Sequence, residues 1–99
     1  MISIPKKFKL GGRDWTVEFH HLLDNDHSVL GDTDADECVI RLRKNMKPDL
    51  LHHTFYHELC HAIAITLGWK KLNDDEDKID SLGGILYQYL KTKRGTCQE

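Results

Sequence analysis

Ninety-nine residues can enclose one modest core, so any site must sit on a single minimal domain spanning residues 1–99. A net charge of −2 and a pI near 6.4, with no long run of Lys and Arg, supply no basic field and argue against nucleic acid as a direct partner. No apolar run approaches the roughly 18 residues that cross a bilayer, and Met1–Lys7 lacks a signal-peptide core, so no membrane partner is expected.

Three cysteines, Cys38, Cys60 and Cys97, form no C-x-x-C pair and leave an odd count, which suits a reducing cytoplasm better than a secreted disulfide framework. Internal repeats, low-complexity segments and linkers are lacking.

Residues 7 to 43 read as strands. Phe8 and Leu10 alternate with Lys7 and Lys9, Gly11-Gly12 supplies turn chemistry, and Trp15, Val17 and Phe19 alternate with Thr16, Glu18 and His20, which predicts a hairpin. A polar segment from His21 to His27 leads to Ser28-Val29-Leu30-Gly31. Beyond an Asp-rich turn, Cys38, Ile40 and Leu42 alternate with Val39, Arg41 and Arg43, predicting a third or fourth strand. Asp32, Asp34 and Asp36 have the D-x-D-x-D spacing of a calcium loop. Glu37 stands where glycine is needed and Arg43 where a bidentate glutamate is needed, so the segment reads as a solvated turn. His20, His21 and His27 have no ligand spacing and read as surface or strand-face residues.

A first helix is predicted from Pro48, with Asp49 beside its positive end, to Gly68, along a stripe of Leu51, Phe55, Leu59, Ile63 and Leu67. Within it lies His57-Glu58-Leu59-Cys60-His61, or H-E-x-x-H. Histidines four apart project from one helix face, so both imidazoles can reach one metal ion while Glu58 faces its open side. That spacing suits zinc, with neutral histidine ligands and a glutamate that takes a proton from an acidified water. With seven His and five Glu in 99 residues, the motif arises by chance in roughly 2% of such chains, and its helical setting lowers that figure. His53, one turn before His57, is a possible substrate or oxyanion contact, although His52 beside it favours an ordinary polar face.

A hydrolytic zinc site normally has a third protein ligand. The candidates are Asp74, Asp75, Glu76, Asp77 and Asp80, at the start of a second helical pattern through Ile79, Leu82, Leu86 and Leu90. Glu76 is favoured, with Asp80 four residues on placed to accept the outer N–H of a ligating histidine; Asp80 or Asp77 is the next choice as ligand. Against this stands a capping-box reading, in which Asn73 is the N-cap and Glu76 reaches back to it. Gly83 and Gly84 would let the second helix approach the first. Tyr87 falls about 16 Å along the axis from Glu76 by helical rise, too far to reach the metal.

The run Thr54-Phe55-Tyr56-His57-Glu58-Leu59-Cys60-His61-Ala62, with Gly68, Glu76, Ile79-Asp80-Ser81-Leu82 and Leu86-Tyr87-Gln88-Tyr89-Leu90, resembles small phage-type zincin metallopeptidases. These are minimal gluzincins related in layout to ImmA/IrrE-like domains. The resemblance implies zinc held by His57, His61 and Glu76, with Glu58 as general base and Asp80 behind a ligand. It also implies that the strand at 38–43 is an edge that a peptide substrate could join. Full-size gluzincins supply an oxyanion histidine or tyrosine from a further domain, which has no evident counterpart here.

The sequence therefore predicts an α+β, zincin-like fold, with a small antiparallel or mixed N-terminal sheet of three to four strands followed by two helices that share a metal. The expected function is zinc-dependent peptide hydrolysis. The alternative is a non-catalytic, zinc-stabilised module that binds a peptide or protein.

Overall fold

Gly11 and Gly12 both adopt positive φ, 56° and 82°, which gives a two-residue turn the twist that matches its flanking strands. They join β1 (Lys7–Leu10) to β2 (Arg13–His20) in an antiparallel hairpin that pairs Phe8 with Trp15. The computed structural model describes residues 3–95 and 97. Met1 and Ile2, part of the run read for a leader sequence, lie outside the described residues.

Two further strands, β3 (Gly31–Asp34) and β4 (Val39–Arg43), complete a mixed four-stranded sheet in the order β1-β2-β4-β3. β4 runs parallel to β2 and antiparallel to β3. This corrects the expectation that the strand at 38–43 is an edge. It has a neighbour on each side because its residues demand cover: Val39, Ile40 and Leu42 are all buried. Cys38 precedes the strand at φ 56°, in the turn that follows β3.

The edge nearest the helices is therefore β3. Asp32 and Asp34, read from sequence as a solvated turn, belong to that strand. They are drawn into it by Arg41 of β4, whose Nη1 and Nη2 each lie 3.2 Å from one of the two carboxylates.

α1 (Pro48–Leu67) starts with Pro48 in its first turn and stops at Gly68, φ 72°, close to the predicted span. It lies on the inner face of the sheet, where Phe55, Tyr56 and Ala62 pack into a core with Trp15, Ile40 and Leu42. Phe8 stacks on Trp15 and meets Phe55 edge-on. The expected stripe is only partly inward: Phe55 is buried, but Leu67 at the helix end is exposed.

The connection to the last helix contains a short turn of helix, α2 (Lys70–Asn73), that the sequence pattern does not announce. α3 (Glu76–Thr92) is capped by Asp75, which accepts from Lys78 N at 3.1 Å, and not by Asn73. Its inner face carries Ile79 and Gly83, while Leu82 of the predicted stripe faces outward. Among the described residues no helix is long and apolar enough to cross a membrane, and Cys38, Cys60 and Cys97 are unpaired.

Candidate metal centre

Helical spacing sets the two histidines of α1 on one face with ring centroids 5.1 Å apart. α3 must then come close enough for its first residue to face them. Gly83 permits this, since a Cβ there would stand 2.8 Å from His57 N and 3.0 Å from Tyr56 C, inside van der Waals contact with backbone that cannot move aside. Gly84 is different. A Cβ there would meet only the His53 ring, at an ordinary 3.5 Å.

With the helices so placed, ligand atoms of His57, His61 and Glu76 all lie within 4.8 Å of one another, a group that can hold a metal ion. Glu76 Oε2 is 2.8 Å from His61 Nε2 and 3.7 Å from His57 Nε2. Tetrahedral zinc with bonds of roughly 2.0–2.1 Å needs ligand atoms about 3.3 Å apart, so the observed spacings bracket the requirement. The donor set of two imidazole nitrogens and one carboxylate is chemically compatible with a zinc ion.

The outer nitrogens of both imidazoles are engaged. Asp80 Oδ1 accepts from His57 Nδ1 at 3.0 Å, and Asn73 Oδ1 accepts from His61 Nδ1 at 2.8 Å. Each bond places a proton on Nδ1, aims the ring and leaves Nε2 directed toward the shared point. The Asn73 contact is not foreseen from the sequence, where Asn73 enters only as the N-cap of the capping-box alternative to a Glu76 ligand. The rivals for third ligand are occupied or turned elsewhere: Asp74 pairs with Lys70, Asp75 caps α3, and Asp77 lies outside the group.

Glu58 occupies the side of α1 nearest β3 and is only 7% exposed. Burial pushes its carboxyl above the usual carboxylate range, opposed by the Thr33 hydroxyl and by the nearby His57 and His61. The Thr33 hydroxyl lies 2.7 Å from Glu58 Oε1 and 3.0 Å from Glu58 O, tying the edge strand to the glutamate. Gly31 allows that approach, because a Cβ there would stand 3.2 Å from Glu58 Cγ and 2.9 Å from Thr54 Cγ2. Beside them opens a cleft of about 370 Å³ lined by Leu30 and Gly31 on one wall, and by Leu50, His53, His57 and Glu58 on the other.

His53 Nε2 lies 3.3 Å from Asp80 Oδ1 but outside hydrogen-bonding geometry. Cys60, inside the H-E-x-x-H motif, is buried on the other side of α1, and that burial pushes its thiol up to about 11, away from any thiolate role. Tyr87 lies elsewhere, donating to Asp49 Oδ1 and stacking on His52 and Tyr56.

Comparison with known proteins yields no relative: no protein-family model, curated protein or solved structure matches this chain.

Proposed function

We propose that this chain is a zinc-dependent peptidase of minimal zincin-like build, working in a reducing cytoplasm. The observation that carries the reading is the convergence of His57, His61 and Glu76, with His57 also lining a cleft whose wall holds the buried Glu58. Zinc bound there would acidify water and polarise a carbonyl. His57, His61 and Glu76 would hold the ion, while Asp80 and Asn73 keep the two rings aimed.

Glu58 takes the proton from water as its oxygen attacks the peptide carbonyl carbon. It then passes that proton to the amide nitrogen as the C–N bond breaks. A carboxyl raised by burial is better matched to that exchange near neutral pH than a solvated one, and Thr33 keeps it oriented. Peptide as the substrate class comes from the family resemblance. It is supported by edge strand β3 beside the cleft, whose free backbone groups can pair with an extended chain.

The test is turnover of a peptide library by zinc-loaded protein. Glu58→Gln is expected to lower the rate by about 10²–10⁴-fold while zinc stoichiometry and fold persist.

A second reading, a zinc-stabilised module that binds a peptide on β3 without cleaving it, is favoured by the way the ligand set ties α1 to α3 in a chain with a small core. In that case Glu58→Gln leaves every measured property unchanged. Two histidines and a carboxylate also suit some non-haem iron sites, but H-E-x-x-H on one helix favours zinc.

A further inference from the structure

α3 has two apolar sides, and only one packs against other described residues. Glu76, Ile79, Asp80 and Gly83 turn toward α1, whereas Leu82, Ile85 and Tyr89 are exposed by 43%, 62% and 62%. At 3.6 residues per turn those three fall within about 60° of one another, so they form a continuous outward stripe. Single exposed apolar residues are ordinary on a protein surface, but a helical stripe of three large ones is the pattern of a helix that has a partner.

We infer that this stripe joins two copies of the chain through antiparallel α3 helices, with Ile85 on the two-fold axis. Ile85 lies near the middle of the 17-residue helix, so an antiparallel pairing overlaps the whole of α3. Leu82 and Tyr89 stand three and four residues to either side of it and on the same flank. The two-fold therefore sets Leu82 of one copy against Tyr89 of the other. On the opposite flank, Ser81 meets Gln88, a polar pair able to hydrogen-bond.

Charge favours the same arrangement. Apart from the metal-facing Glu76 and Asp80, the N-terminal end of α3 carries Asp75 and Asp77, whereas Lys93 and Arg94 follow its C-terminal end; Lys91 there is held by Asp49 and Asp74 by Lys70. Antiparallel pairing brings the acidic end of each α3 to the basic end of the other, and the helix dipoles oppose favourably. A parallel pair would set like charges together. Because the metal-facing residues lie on the far side of α3, both clefts stay open.

Sedimentation equilibrium from micromolar to millimolar chain concentration tests the pairing. The wild type is expected to show reversible dimerisation that weakens as salt rises, and Ile85→Glu to remain monomeric throughout with unchanged circular dichroism. In a Cys97→Ser background, Ile85→Cys should form a covalent dimer on mild oxidation. Lys78→Cys should not, because two turns from the axis it stands about 20 Å from its copy, beyond disulfide reach. A wild type that stays monomeric over the whole range, a dimer that survives Ile85→Glu, or equal cross-linking at both cysteine positions would overturn the antiparallel dimer.

Discussion

Asn73 shows how one hydrogen bond can bear on the chemistry of a site. A ligating imidazole can rotate about its χ angles and exchange tautomers unless its second nitrogen is held, and here the two rings are held by unlike groups: a carboxylate for His57 and an amide for His61. If the proposed metal centre holds zinc, removing the amide in Asn73→Ala is expected to weaken that binding by about 10–100-fold, read by competition with a chromophoric chelator. Unchanged affinity would mean that packing alone orients the His61 ring. The H-E-x-x-H motif was legible because four-residue spacing on a helix is local information. Asn73 was not, because Asn73 and Asp75 are both good caps and only the unforeseen turn of α2 decides between them.

At the scale of elements, the approach of α1 to α3 decides whether Glu76 reaches the histidines. Gly83→Ala is expected to destabilise the fold by about 1–3 kcal/mol, because the added methyl meets backbone at 2.8 Å. Gly84→Ala, with ordinary contacts and better helix propensity, is expected to be neutral or stabilising by up to about 1 kcal/mol. Chemical denaturation of the two variants separates the cases, and equal effects would show that helix propensity rather than contact governs both positions. Sequence suggested glycine-mediated packing but could not choose between neighbouring glycines, since the choice depends on the crossing geometry.

The far end of the same helix pair is clasped by Asp49, which accepts from Tyr87 Oη and Lys91 Nζ; these bonds hold its carboxyl below the usual range. A carboxyl lowered in the folded state adds stability above its unfolded value of 3.8, and that contribution is lost as pH falls through the folded value. Asp49→Asn should therefore lose less stability than wild type between neutral and strongly acidic pH in thermal melts. Parallel acid profiles would show that the clasp is screened away by solvent.

For the whole molecule, the α+β order of sheet then helices was readable from alternation and periodicity, while the place of β4 in the sheet was not. Its pairing with β2 is parallel and crosses the intervening β3 segment, so no short-range signal marks it. The buried run Cys38-Val39-Ile40 was the available hint, since an edge strand with one wet face would alternate more cleanly. This relocation moves the proposed peptide-accepting edge to β3, alongside Glu58. In a chain of 99 residues the core is small, and a metal linking α1 to α3 would stabilise the same helix approach that creates its site.

Elemental analysis of tag-free protein after exhaustive dialysis, comparing wild type with Glu76→Ala and Glu58→Gln, tests the metal centre most directly. About one zinc per chain is expected in the wild type, retained by Glu58→Gln and weakened in Glu76→Ala. A wild type that holds no zinc and takes up none on addition would contradict this, and would leave the histidine pair as a polar face of α1.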